Sequence, residues 1–208
     1  MVKQIIFDFD GTLVDSTEVL MSVFNELADK YKFNKITNAD IETLRRMSNL
    51  ERSRYVNFPL YKVPFIVAEF NLLYSQKIKN VNFFEGIKDV LDELNSLGYK
   101  ITIISSNSEK NIRDFLNNNN VTIIDEVISS NNLFGKDKVI KKYLKNHSLN
   151  KSDVIYVGDE QRDVVACKRT GIKVIWVEWG YDSKEVVLEK EPDYVVSTPE
   201  QLLNFFKT

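Results

Sequence analysis

Residues 2–13 read Val-Lys-Gln-Ile-Ile-Phe-Asp-Phe-Asp-Gly-Thr-Leu, and this stretch decides the fold. The apolar run over 2–9 is short and is broken by Asp8, Asp10 and Gly11, the pattern of a buried strand ending in a loop. Similar runs recur at 100–104, 125–129, 153–157, 173–177 and 194–196. Between them lie stretches with helical spacing, at 86–97, 109–116, 136–144 and 163–170. Strands alternating with helices predict an α/β fold, a Rossmann-like parallel sheet with helices on both faces. Over 154–157 the hydrophobicity is continuous rather than alternating, as expected of a strand covered on both sides.

One interval breaks the rhythm. Nearly ninety residues separate Gly11 from the run at 100, where a whole βαβ unit takes roughly 30. Helical patterns fill the gap, at 17–33, 39–47, 51–57 and 64–78, the first with Val19, Leu20, Val23, Phe24 and Leu27 on one stripe. No strand is predicted before Val81. The expected organisation is an α/β core formed by 1–15 and 83–208, with an all-α cap domain inserted at 16–82.

Composition narrows the function classes. A chain of 208 residues with 43% hydrophobic and 28% charged residues is not a disordered one. Lys plus Arg is 28 against 30 Asp plus Glu, a net charge of -2, a poor match to nucleic acid or a membrane surface. One cysteine, Cys167, and one histidine, His147, exclude a disulfide framework and a Cys/His zinc cluster, and neither is expected in the chemistry. No apolar run reaches the roughly 18 residues of a membrane span. The N-terminus is charged within ten residues, unlike a signal peptide, so a cytoplasmic protein is expected, monomeric by default.

Four segments carry candidate chemistry. Asp8 and Asp10 end the first strand, where open parallel sheets bind ligands. Alternation puts them on the same side, and two such carboxylates call for a cation or a shared proton. Residues 158–163, Gly-Asp-Glu-Gln-Arg-Asp, end a second buried run, with Asp159 and Asp163 one helical turn apart. Acids that serve only the helix dipole give the same pattern. Ser105, Ser106 and Asn107 follow a third run and open a helix, which is an anion site or a plain cap. Finally, Lys136 and Lys138 sit at the start of a helix, where the dipole disfavours a cation and solvation is the ordinary reason for one.

Together and in this order, these segments resemble the motifs of the haloacid dehalogenase-like hydrolase superfamily, over essentially the whole chain. Asp8 to Thr12 matches Asp-x-Asp-Gly-Thr, Ser105 the strand-ending hydroxyl, Lys136 (or Lys138) the lysine, and Gly158 to Asp163 the Gly-Asp-x-x-x-Asp motif. The insertion resembles the family's smaller helical cap, and the tail around Trp179-Gly180-Tyr181 looks like the phosphoglycolate phosphatase-like branch.

The resemblance implies a phosphatase acting on a small phosphorylated metabolite. Asp8 would be the nucleophile that forms an aspartyl-phosphate, and Asp10 the general acid and base. Mg²⁺ would be held by Asp8, the Asp10 carbonyl and Asp159, with Asp163 orienting a metal-bound water. Ser105, the Ser106 N–H and Lys136 would hold the phosphoryl oxygens, with Asn107 adding a contact. Gly11 would allow a tight turn, and Thr12 would position Asp10. An alkoxide leaving group needs a proton and halide does not, so an acid at position 10 favours phosphate esters over alkyl halides.

Four of the seven arginines, Arg45, Arg46, Arg52 and Arg54, fall in the insertion. Arg52 or Arg54 is the expected contact to a substrate anion. Two alternatives stay open at this level: a sugar phosphomutase built from the same parts, and a non-enzymatic phospho-accepting domain.

Overall fold

The computed structural model describes residues 2–130 and 135–207. Strand β1 (Gln4–Phe7) leads into a short β2 (Val14–Asp15). Helices α1 (Thr17–Tyr31), α2 (Ile41–Arg45), α3 (Asn49–Tyr55) and α4 (Val63–Lys77) follow before β3 (Asn82–Phe83). The chain then alternates: α5 (Ile87–Ser96), β4 (Lys100–Ser105), α6 (Glu109–Asn118), β5 (Glu126–Ser129), α7 (Lys136–Asn146) and β6 (Val154–Gly158). It ends with α8 (Gln161–Thr170), β7 (Lys173–Val177), α9 (Lys184–Leu188), β8 (Tyr194–Val196) and α10 (Pro199–Lys207).

Six strands form one sheet in the order β5-β4-β1-β6-β7-β8. Every neighbouring pair is parallel. The period of two along each strand sorts the apolar residues onto two faces. Ile5, Phe7, Ile101, Ile103, Ile155, Val157, Ile175 and Val177 join one cluster with α5, α6 and α10. Ile6, Ile104, Val154, Tyr156, Val174 and Trp176 join the other with α7, α8 and α9. The expected helices on both faces are therefore present, and the continuous apolar strands exist because neither face meets water.

Chain direction across the sheet reverses beside β1. From β1 the chain builds outward through β4 and β5, then returns to β6 and builds the other way. Ligands bind at such switch points, outside the carboxyl ends of the strands. Asp8, Ser106 and Asp159 directly follow the three adjacent strands β1, β4 and β6.

Helices α1–α4 lie between β2 and β3, as an inserted helical region. The pattern at 39–47 is realised as a 3₁₀ turn, Asn38–Asp40, followed by the five residues of α2. One element escaped the sequence reading: β2 pairs antiparallel with β3, Val14 opposite Phe83 and Asp15 opposite Asn82. Two residues are too few to show any periodicity, yet this pair brings the two ends of the insertion side by side. Val19, Val23, Leu27, Phe33, Val56 and Ile66 of the helical region share one continuous cluster with the sheet's apolar face. Within the helical region Phe33 packs between Phe24 (4.9 Å) and Phe58 (5.0 Å).

Candidate active site

The backbone N–H of Asp8 bonds the carbonyl of Val157 (2.9 Å), which carries the β1–β6 ladder one residue past the strand. Asp8 is 1% exposed and Lys136 6%. Lys136 begins α7, and its Nζ donates to Asp8 Oδ2 (2.6 Å) and to Asp163 Oδ1 (2.5 Å). Of the two lysines, Lys136 enters the acid cluster and Lys138 is exposed. Burial pushes the Asp8 carboxyl up, but the charges of Lys136 and Arg162 hold it below the usual carboxylate range.

Asp10 has a different environment. Its Oδ1 accepts from Ser16 Oγ (2.6 Å) and Tyr74 Oη (2.7 Å), and its Oδ2 from Asn107 Nδ2 (2.8 Å). Tyr181 Oη lies 2.5 Å from Ser16 Oγ and extends the network. Burial raises the Asp10 carboxyl against the pull of these three donors, and Asp8 beside it adds to the rise. Two carboxylates two residues apart are therefore driven in opposite directions, one toward a permanent charge and one toward a held proton.

The expected contributors sort unevenly. Asn107 holds Asp10, and its Oδ1 in turn accepts from the Ser108 N–H and from Asn111 Nδ2. Ser105 ends β4 buried, its Oγ accepting the Asn107 N–H at 3.3 Å. Ser106 Oγ accepts from Arg162 (3.2 Å). Thr12 does not position Asp10: its Oγ1 donates to Asp159 Oδ1 (2.7 Å), and Ser16, Tyr74 and Asn107 orient Asp10 instead. Gly11 turns with φ +78°, and a Cβ there would come 2.3 Å from Asp159 Oδ2, so both conformation and space require glycine.

Asp159 is fully buried, with Oδ1 taken by Thr12 and Oδ2 by the Tyr181 N–H (2.7 Å). Burial first, then Glu160 and Asp163, push its carboxyl well above the usual range. The carboxylates that gather within 4.8 Å of one another are Asp8, Glu160 and Asp163. Glu160 is the member of this group that the sequence motif does not single out, since an acid before a helix also serves its dipole. Burial raises Asp163 to about 7, against the charge of Lys136.

Arg52 and Arg54 part company. Arg52 pairs with Asp182, donates through Nε to the Leu44 carbonyl (2.8 Å) and lies 3.7 Å from Glu160. It ties the helical region to the core. Arg54 is exposed on α3 and joins no part of the site. Three groups that the sequence reading did not assign belong here: Tyr74 from α4, Ser16 before α1, and Arg162 from α8. Each contact spans 6 to 64 residues of chain and uses a residue type common in ordinary packing.

A hard divalent cation fits this donor set. All the gathered atoms are carboxylate oxygens, as Mg²⁺ prefers. Asp8, Glu160, Asp163 and Asp182 are paired with the three cations Lys136, Arg162 and Arg52, while Asp10 and Asp159 are held by neutral donors.

Comparison with known proteins agrees with this geometry. The family model described as haloacid dehalogenase-like hydrolase matches residues 5–177. A phosphoglycolate phosphatase of Synechococcus elongatus is 28% identical over 203 residues, covering 97% of this chain and 96% of that one. The pyrophosphatase PpaX of Bacillus velezensis is 24% identical, covering 98% and 95%. Among solved structures, a haloacid dehalogenase-like family hydrolase from Streptococcus pneumoniae superposes with a TM-score of 0.82 at 26% identity, covering 99% of this chain and 98% of that one. The chain belongs to the haloacid dehalogenase-like hydrolases, and its relatives are phosphatases.

Proposed function

For this haloacid dehalogenase-like hydrolase we propose hydrolysis of a small phosphate monoester through an aspartyl-phosphate on Asp8. The observation that carries the reading is the split between the two strand-end acids. Asp8 is held ionised beside Lys136, while Asp10 is pushed toward its protonated form by burial. An ionised Asp8 is a competent nucleophile and a protonated Asp10 a competent acid.

Asp8 attacks phosphorus, the ester P–O bond breaks, and Asp10 gives its proton to the departing oxygen. Asp10 then takes a proton from water as that water attacks phosphorus. The bond to Asp8 breaks and inorganic phosphate leaves. Lys136, Ser105 and the Ser106 N–H hold the non-reacting oxygens, positioning being much of phosphoryl-transfer catalysis. Asp8, Glu160 and Asp163 would hold Mg²⁺, with the Asp10 carbonyl and Asp159 as the ligands the family resemblance adds. Each Asp159 oxygen keeps a lone pair beyond its one hydrogen bond. Bound Mg²⁺ supplies charge neutralisation between Asp8 and the substrate dianion. The unit 16–82 acts as the cap, covering the site and excluding bulk water through Tyr74 and Arg52.

Phosphoglycolate and pyrophosphate, named for the relatives, are the first compounds to try within a wider panel of metabolite phosphates. Phosphate release with Mg²⁺, abolished by Asp8→Asn and by EDTA, is the expected outcome. An isomer formed from a sugar phosphate with little free phosphate would replace this reading with a mutase. No turnover in either assay would leave a binding role.

A further inference from the structure

Among the described residues, Arg162 is a cation of the site that the chemistry above leaves unused. It is the second residue of α8, at a helix start where the dipole disfavours a positive charge. Its side chain is only 21% exposed. Nε donates to Glu160 Oε2 (2.5 Å), Nη2 pairs with the same carboxylate, and Nη2 donates to Ser106 Oγ (3.2 Å). The guanidinium therefore reaches from the β6 strand end to the loop after β4, across the mouth of β1. Its charge is felt at Asp8, at Asp163 and at Lys136. A guanidinium has five donors in a planar fork, and Glu160 and Ser106 engage only part of them.

We propose that Arg162 is a phosphoryl-binding residue, held at the edge of the pocket by Glu160 and handed to the phosphoryl oxygens of the substrate when it arrives. A phosphate dianion outcompetes a single carboxylate for the fork, by charge and by its extra acceptor oxygens. Ser106 keeps the guanidinium in register during the exchange. Glu160 is not left alone by it, because Oε1 already faces Arg52 at 3.7 Å. The opposing explanation is a purely structural tie between α8 and the 106 loop.

The occupant's identity rests on the phosphatase reading, but the test does not. Inorganic phosphate is titrated calorimetrically, with Mg²⁺ present, into the wild type, Arg162→Lys, Arg162→Gln and the exposed control Arg169→Gln. Turnover of p-nitrophenyl phosphate is measured alongside. Loss of a charge-assisted hydrogen bond predicts phosphate binding weaker by about 10- to 100-fold in Arg162→Gln. Arg162→Lys should recover part of the loss, and Arg169→Gln should bind as the wild type does. KM should rise by a similar factor, with a smaller fall in kcat. Phosphate affinity within about 2-fold of wild type in both Arg162 variants, with only a lowered Tm, would overturn the inference and favour the structural tie. If Arg162→Gln does not fold, Arg162→Lys decides alone: weakening of about 3-fold or more supports phosphoryl binding, and unchanged affinity rejects it. Arg162-dependent phosphate binding in a wild type that hydrolyses no ester keeps this inference and removes the phosphatase. Turnover with Arg162-independent binding does the reverse.

Discussion

In the sheet, Ile5, Phe7, Ile103 and Val157 have no exposed surface, whereas Leu50, Leu60, Tyr61, Phe65 and Leu72 of the helical region are each at least half exposed. The sheet is covered on both faces, so its strands can be apolar throughout. Helix α4 opens Val-Pro-Phe-Ile-Val-Ala and is apolar nearly all round; it packs against α1 and α6 and buries Ile66 and Tyr74, while Phe65 and Leu72 stay exposed. Beyond the shared apolar cluster, the helical region meets the core at a few polar points. Among them are Tyr74 and Ser16 on Asp10, Arg52 on Asp182 and beside Glu160, Asn111 on the Asn71 carbonyl, Gln161 on the Met47 carbonyl, and the Ser183 N–H on the Arg45 carbonyl. The difference teaches a division of labour. Stability and the fixed acids reside in the sheet, while the helical region contributes through a handful of contacts.

Chemistry should show the sharpest contrast. Asp8→Asn, in the sheet, is expected to lower kcat by about 10⁴-fold or more, as removal of a nucleophile's charge does. Arg54→Ala, on the exposed face of α3, should leave kcat/KM within about 2-fold, since such surface changes rarely register. A large loss from Arg54→Ala would show that the helical region reaches the substrate through that residue after all.

Stability should follow the same line. Ile103→Ala in β4 is expected to cost about 2–5 kcal/mol of unfolding free energy. Phe65→Ala, at a side chain 71% exposed, should stay within about 0.5 kcal/mol. Urea midpoints measured side by side would decide it, and an equal cost at both positions would mean that the two regions do not differ in this way.

How much of this was legible beforehand depended on the kind of signal. Strands buried on both faces announce themselves as short apolar runs, and every strand of the main sheet was readable that way. Acids and hydroxyls at their ends stood out because open parallel sheets bind ligands there, so Asp8, Asp10 and Ser105 could be proposed without coordinates, and Lys136 because a cation at a helix start asks for a reason. Glu160 could not, because an acid before a helix has a sufficient reason in the dipole. Tyr74 and Arg162 were hidden differently: each is an ordinary residue on a helix, and its role exists only through partners brought close by the fold. Thr12 was misassigned because adjacency in sequence suggested Asp10, whereas the tight turn at Gly11 aims its hydroxyl at Asp159.

Tyr74→Phe tests the contact that crosses between the two regions. Its hydroxyl donates to Asp10, which favours the ionised form, so removing it should raise the Asp10 pKa further. The limb of the kcat–pH profile that reports Asp10 should move to higher pH, with kcat at its plateau changed by about 10-fold or less. An unmoved profile would mean that Tyr74 only packs.

Arg52→Gln probes the ion pair that ties the helical region to the core. The arginine side chain is 23% exposed but that of Asp182 only 1%, so the substitution strips the cation from a buried carboxylate that the Gln161 N–H still bonds. Leaving such a group short of a partner costs about 1–3 kcal/mol. The thermal unfolding midpoint should fall by several degrees, and an unmoved midpoint would show that the pair does not hold the two regions together.

The place of β1 has a consequence for how the chain is made. It is synthesised before the other strands of the sheet but is central in it, and its partners are residues 100–103 on one side and 154–157 on the other. Emerging from the ribosome, the strand that leads to Asp8 stays without one neighbour until about 100 further residues exist, and without the other until about 150 do. Such distant pairings make folding slow and expose an apolar segment meanwhile. The helical region, whose contacts are more local and whose residues come next off the ribosome, is the part positioned to fold while β1 waits.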